Sequence, residues 1–390
     1  MNILAPRNCM SAPFEINPTF CFTLLGAFLI YVWTRPSRQS WLSIALLATG
    51  SRAACIRVMG GLGSYYGVEW ISWGAFLGIA SLVVIAVQFA CAPHLMRQPF
   101  RRTFFAAAVF PVCSLLIGYS IPVTTRLRPF TYDALLLAFD GGLGFQPSFV
   151  LGQLLVRRPT LWGLTNVVYC SLPLAGCLLY AAYRQRQRQS VAILPLFLSL
   201  MLVGFGQYGV FPAVGPRYAF AQAYPQSPSS VAQIAAEPIR VGDAPRNCMP
   251  SLHLAAALVV LWNSRIWPQW GRLLALLFLL ATAFSTLALG EHYVADLVVA
   301  FPFTLIFQAA WTTQVEMVNP VRRRTLWAGI GLTVVWFVAL RYGLRLFLIS
   351  PLIAWLAILL TVAWCTLLEK GLYAAVSSSE AVHFRSGFYG

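Results

Sequence analysis

Apolar runs of membrane-crossing length recur along this chain from its first third to near its end, and no other feature narrows the possible folds as far. They fall at about 18–33, 41–60, 70–92, 104–123, 161–183, 191–211, 250–267, 272–290, 292–311, 326–340 and 349–368. A spanning helix needs about 20 mostly apolar residues, because inside a bilayer every backbone N–H and C=O must be satisfied within the segment. Composition agrees, with 59% hydrophobic and 10% charged residues, against about 25% charged in soluble domains. The expected fold class is therefore an all-α polytopic membrane protein with about 10–11 transmembrane helices. The run at 41–60 is the least suited to spanning, since Arg52 and Arg57 interrupt it. The stretch 124–160 carries only short apolar pieces, Ala134–Phe139 and Phe149–Val156, which are expected to lie as helices at the interface.

The formal charge is +16 and comes almost entirely from arginine, Lys370 being the only lysine. Arg35/Arg38, Arg97/Arg101/Arg102, Arg184/Arg186/Arg188, Arg265/Arg272 and Arg322/Arg323/Arg324 sit in short loops that fall on one side if the spans alternate. The positive-inside rule makes that side cytoplasmic. The long loops 124–160 and 212–249 then face outward. There is no soluble domain to carry a basic face, which excludes nucleic acid as a partner. The nine cysteines are scattered without a CxxC spacing and read as small buried apolar residues. Scarce lysine suggests a high-GC bacterial genome and hence a bacterial plasma membrane. The expected organisation is N-terminal transmembrane helices over 1–123, an extracytoplasmic interfacial segment over 124–160, a central block over 161–311, C-terminal helices over 312–373 and a disordered tail over 374–390.

Polar chemistry concentrates at two helix mouths. Pro250-Ser251-Leu252-His253 opens one apolar run, and Gly290-Glu291-His292-Tyr293-Val294-Ala295-Asp296 opens the next but one. His253 and His292 are two of four histidines and stand 39 positions apart. At about 1.5 Å per residue that is roughly 58 Å of helix, one crossing and its return. Both histidines are thus expected at the same outward face. His292 and Asp296 are related as i and i+4, and Asp296 is the only acid the run boundaries place inside a span. An intramembrane carboxylate is costly without a partner. A carboxylate on one imidazole nitrogen fixes the tautomer and leaves the other nitrogen as a nucleophile. Pro250 suits a first helical turn, whose N–H groups with the Ser251 hydroxyl make an anion site. His253 is placed to protonate a leaving oxygen. Arg217, in Gly215-Pro216-Arg217-Tyr218, is the first choice for gripping a phosphate. Arg128 and Arg246 are weaker choices.

These residues resemble the type 2 phosphatidic acid phosphatase superfamily, whose second motif is PSGH and whose third is SR-x5-H-x3-D. Here the sequence reads PSLH, then Ser285, His292 and Asp296 at the third-motif spacing. The upstream GPRY and the HY-x-x-D form look most like the inositol phosphorylceramide synthase branch, as do Arg128-Pro129, Tyr132-Asp133 and Asp140-Gly141. The resemblance implies a six-helix catalytic core over about 161–311 and a phosphohistidine on His292. It implies Asp296 as orienting group, His253 as acid, and chemistry needing neither metal nor cofactor. Two departures stand out. The third-motif arginine falls on Thr286, and the first motif K-x6-RP has no clean match, with Ile121 seven positions before Arg128 and Tyr218 after Arg217. Those cations hold a phosphomonoester dianion, so their loss favours a diester donor and a headgroup transferase. The expected function is a lipid phosphotransferase moving an inositol-phosphate-like headgroup from a phospholipid to a lipid or polyol hydroxyl. Hydrolysis, by a lipid phosphate phosphatase or polyprenyl pyrophosphatase, is the alternative.

Plainer readings stand beside these. Ser251 is also a good N-cap, Glu291 a helix-start acid, and Asp133 and Asp140 loop-solubilising residues. His94 and His383 read as bystanders. A proton-relaying transporter would scatter ionisable groups near mid-span, whereas here they gather at one face.

Overall fold

The computed structural model describes residues 18–59, 70–186, 190–226 and 235–386. The polar arm expected over 1–17, Arg188 of its loop cluster and residues 387–390 of the tail lie outside them. The chain divides into two compact units, one of residues up to Gly118 with Asn166–Arg186, the other of Tyr119–Thr165 with Gln187–Gly390.

In the first unit, α1 (Pro18–Val32) packs on α3 (Trp70–Cys91), and α2 (Arg38–Met59) packs on α3 as well. Small residues set the approach of α1 and α3. A Cβ on Gly78 would stand 2.2 Å from the Leu24 carbonyl oxygen, so these backbones meet where only glycine fits. A short polar relay links the three helices: Tyr31 donates to Gln88 Oε1 at 2.8 Å, and Gln88 Nε2 donates to Ser40 Oγ at 2.9 Å. The long α4 (His94–Leu127) follows, and α8 (Leu172–Gln185) returns to α1.

The second unit begins with strand β1 (Phe130–Thr131) and the helices α5 (Asp133–Gly142) and α6 (Pro147–Val156), which are bent 92° from each other. Next come α7 (Pro159–Cys170), which leads into α8, then α9 (Ile193–Val210), the single turn α10 (Pro216–Ala219) and β2 (Ile239–Arg240). β1 and β2 pair antiparallel, Phe130 opposite Arg240 and Thr131 opposite Ile239. The remaining helices are α11 (Leu252–Asn263) with a 3₁₀ turn at Ser264–Ile266, α12 (Gln269–Ala288), α13 (Val294–Ala310), α14 (Pro320–Tyr342), α15 (Leu344–Ile349) and α16 (Pro351–Ser386).

Among the described residues, seven helices are long and apolar enough to cross a bilayer, or up to nine if each of two bent pairs, α5 with α6 and α7 with α8, is one span. Three further apolar helices, α1, α11 with its 3₁₀ turn, and α13, are shorter. Each of the eleven apolar runs lies on one of these helices or on the α7–α8 pair. The protein is an all-α polytopic membrane protein. Two expectations are corrected. From 374 to Ser386 the chain is helical rather than an irregular tail, since a nucleated helix extends at the cost of one residue per added bond. Asp296 is also not the only acid within a span: Glu369 lies inside α16, 2% exposed. Arg265 balances it through two hydrogen bonds of 2.5 and 2.6 Å, the pairing a buried carboxylate requires.

Helices α11 and α13 run parallel, with α12 returning between them in sequence. At one end the Ser251 N–H donates to the Asp296 carbonyl at 3.2 Å. At the other, the Asn263 and Gln308 side-chain amides bond reciprocally at 2.9 and 3.2 Å. Midway, Thr304 Oγ1 donates to the Ala255 carbonyl at 3.3 Å. This register brings the two helix starts side by side. Arg322 closes the far end of α13 by donating to the carbonyls of Ala309, Ala310 and Val315. That capping role shows it is more than a loop charge. An aromatic cluster supports α5 from behind: Trp336 and Phe347 stack at 5.7 Å, and Phe139 meets each edge-on.

Candidate active site

The first turn of α13 explains how His292 is held. Four N–H groups at a helix start lack intrahelical partners, and carboxylates answer two of the nearby ones. Asp296 Oδ2 accepts from Tyr293 N–H at 2.7 Å, and the Asp140 carboxylate accepts from Val294 N–H at 3.1 Å. Both acids are fully buried, where the positive end of the helix dipole favours them. The backbone of the preceding turn is fastened as well. Thr286 O accepts from both Glu291 N–H and His292 N–H, at 3.1 and 3.2 Å, and Ser148 Oγ donates to His292 O at 2.9 Å.

The imidazole of His292 is 2% exposed. Its Nδ1 lies 3.4 Å from Asp296 Oδ2, outside hydrogen-bonding geometry, since Nδ1 and Asp296 Oδ1 have no hydrogen-bond partner among the described residues. The His253 ring stands 6.1 Å from the His292 ring, centroid to centroid, and inclined by 64°. The two histidines and Asp296 are therefore one cluster.

Among the phosphate-ligand candidates, Arg217 reaches the cluster. Its N–H donates to Gly290 O at 3.0 Å, and its guanidinium stands 3.4 Å from Glu291 Oε1. Tyr218 donates its hydroxyl to the same Glu291 oxygen at 3.2 Å. Burial pushes the Glu291 carboxyl above its ordinary value, and the Arg217 charge pulls it back. Two glycines make this contact possible. Gly215 has φ +90° and Gly290 φ +71°, a region side chains rarely adopt. A Cβ on Gly290 would meet the Tyr224 ring at 2.6 Å and Arg217 Cβ at 2.9 Å.

Ser251 is fully buried and caps α11, accepting from Leu254 N–H at 3.4 Å. The helix starts at Leu252, so Pro250 precedes the cap and is not in the first turn as expected. Arg128 is exposed ahead of β1, and the structure does not bring its side chain into the cluster. Arg246 is 1% exposed and donates to the carbonyls of Arg128, Val241, Gly242 and Ala244, so it clamps the loop and is not available to a phosphate. Thr286, where the family motif carries arginine, is fully buried with its hydroxyl on Ala283 O.

Three residues of the site had been given no part in it by the sequence reading. Asp133, read as a loop-solubilising acid, is fully buried. It accepts from Val214 N–H, Gly215 N–H and the Tyr293 hydroxyl. It thereby ties the loop bearing Arg217 to the loop bearing His292. Asp140 acts similarly on α13. The available signal was their spacing: seven residues apart on one short helix, which puts both on one face. Cys248, read as an apolar filler, donates its thiol to Asp296 Oδ2 at 2.7 Å and to Glu291 O at 3.2 Å. Burial and the neighbouring Asp296 charge push this thiol well up. Cys248, His292 and Asp296 are also a set able to hold a metal ion, their ligand atoms lying within 4.8 Å of one another.

No curated protein and no solved structure matches the chain. Residues 134–310, which run from the second residue of α5 to the end of α13 and hold every cluster residue named here except Asp133, match the family model described as PAP2 superfamily, a likeness that suggests phosphatase or phosphotransferase activity on lipid phosphates.

Proposed function

We propose that this protein is a lipid headgroup phosphotransferase of the inositol phosphorylceramide synthase kind, working without a metal through a phosphohistidine on His292. The observation that carries the reading is the pairing of two imidazoles 6.1 Å apart, one of them over a buried carboxylate. That separation is of the order of a single phosphoryl group. His292 attacks phosphorus, the bond to the diacylglycerol oxygen breaks, and His253 gives that oxygen its proton. The acceptor hydroxyl then attacks the phosphohistidine, returns a proton to His253 and leaves as the new phosphodiester. Asp296 steadies the imidazolium that develops on His292. Arg217, with the Ser251 end of α11, stabilises charge on the in-flight phosphoryl group.

Two features favour transfer over hydrolysis. The position of the family arginine is a buried Thr286, which suits a singly charged diester better than a dianionic monoester. The reacting groups are deeply buried, His292 at 2% and Asp296 at 0% exposure, and exclusion of water protects a reactive intermediate. The arginine-bearing short loops favour an active site on the extracytoplasmic side of a bacterial plasma membrane.

The test uses purified protein in detergent with labelled phospholipids and long-chain alcohol acceptors, products being read by mass spectrometry against His292→Ala. A new acceptor–headgroup conjugate absent from the variant supports the reading. Free phosphate or phosphoalcohol alone makes the protein a hydrolase. Identical products from both proteins overturn the site.

A further inference from the structure

We propose that Cys248, His292 and Asp296 form an inhibitory binding site for a borderline-soft divalent cation of the zinc class. Their ligand atoms lie within 4.8 Å of one another, with Cys248 Sγ 2.7 Å from Asp296 Oδ2 and His292 Nδ1 3.4 Å from it. Tetrahedral zinc with ordinary bond lengths places its ligand atoms about 3.3–3.5 Å apart. The sulfur–oxygen pair therefore has to open by under about 1 Å, the nitrogen–oxygen pair already fits, and the sulfur–nitrogen pair, within 4.8 Å, has to close by at most about 1.5 Å.

Three further observations point to a cation. His292 Nδ1 and Asp296 Oδ1 are buried without hydrogen-bond partners, a state that calls for an explanation; a metal on Nδ1 answers the first. The donor set of thiolate, imidazole and carboxylate selects zinc or cobalt and disfavours magnesium and calcium, which take oxygen ligands. One thiolate and one carboxylate also neutralise a divalent charge, so the filled site buries no net charge. Asp296 is already braced by the Tyr293 N–H, as outer contacts brace metal ligands elsewhere.

On binding, the Cys248 thiol releases its proton to the buffer. Bonds form from the metal to sulfur, Nδ1 and the carboxylate, and the fourth position keeps water. The metal draws electron density from the imidazole and removes Asp296 as its partner, so the other ring nitrogen loses nucleophilicity. Inhibition rests on the proposed role of His292; binding does not.

Cobalt(II) titrated into the full chain in detergent is expected to give a near-ultraviolet thiolate charge-transfer band saturating at one ion per chain. Zinc should displace it, and Cys248→Ala should abolish it. Calorimetry with zinc in two buffers should count one proton released, and Asp296→Asn should weaken binding at least tenfold. In the transfer assay zinc should lower kcat with KM unchanged, reversibly with EDTA. A wild-type protein with no charge-transfer band overturns the proposal without any variant having to fold. So does a band that survives Cys248→Ala, which would place the ion on another cysteine. If the protein transfers no headgroup, the proposed function fails and the cobalt spectrum still decides this site.

Discussion

Asp133 and Tyr293 are joined by a 2.9 Å hydrogen bond, phenol to carboxylate, across 160 positions of sequence. The same carboxylate accepts the N–H groups of Val214 and Gly215. One buried acid thus fixes the loop that carries Arg217 against the turn that carries His292.

Asp133→Ala strands three donors in a buried place. Each unsatisfied buried group costs about 1–3 kcal/mol, so the expected loss is about 3 kcal/mol or more. Asp133→Asn keeps one acceptor and should cost less. Thermal unfolding in detergent checks the order, and kcat should fall with both because Arg217 and His292 lose their common anchor.

His292→Ala should remove phosphohistidine formation entirely, leaving activity at background. Asp296→Asn keeps the shape but not the charge that steadies the imidazolium, and a loss of about 100-fold or more in kcat is expected. Quenching with a phosphorus-labelled phospholipid donor at alkaline and at acid pH separates the two, because a phosphohistidine survives base and hydrolyses in acid. An acid-labile adduct should be absent from His292→Ala and slow to form in Asp296→Asn.

On the proposed reading, Glu291 should make substrate affinity sensitive to pH. Its carboxyl is raised by burial and lowered again by Arg217, so it keeps a proton above the ordinary glutamate range. As pH rises through that raised value the carboxylate forms and competes with the substrate phosphate for Arg217, so KM should rise. The pair is half exposed on the arginine side, 35%, which limits it to about 0.5–1 kcal/mol, or roughly 2–5-fold in KM. Glu291→Gln should lower KM at neutral pH and flatten its pH dependence. A rise in KM that persists in the variant would move the effect to another group.

Gly290→Ala forces a side chain into φ +71° and against the Tyr224 ring. The conformation alone costs about 1–2 kcal/mol, and the collision displaces either Arg217 or the turn before His292. Activity should fall further than the unfolding temperature suggests, which paired kinetic and melting measurements would show.

Chelation should leave the transfer reaction undiminished, since each step is assigned to an imidazole, a carboxylate or a guanidinium. Loss of activity on dialysis against EDTA, regained with a divalent ion, would overturn the metal-free mechanism.

The sequence by itself determined the membrane class, the helices on which the eleven apolar runs lie, and the meeting of the two helix mouths. Each follows from local or one-dimensional quantities. Burial in lipid needs long apolar helices, and 39 residues between His253 and His292 match one crossing and its return. Tertiary structure decided which polar residues belong to the site. The role of Asp133 stayed open, because a buried acid and a loop acid look alike until the donors 81 and 160 positions away are in place. Arg246 resembled a phosphate ligand for the same reason, and only the fold shows its guanidinium already occupied by four carbonyls. Glu369 became visible as an intramembrane acid when α16 extended past the apolar run and met Arg265. Periodicity and length are written in the chain. The partner of a polar group is set by which distant segments the packing brings together.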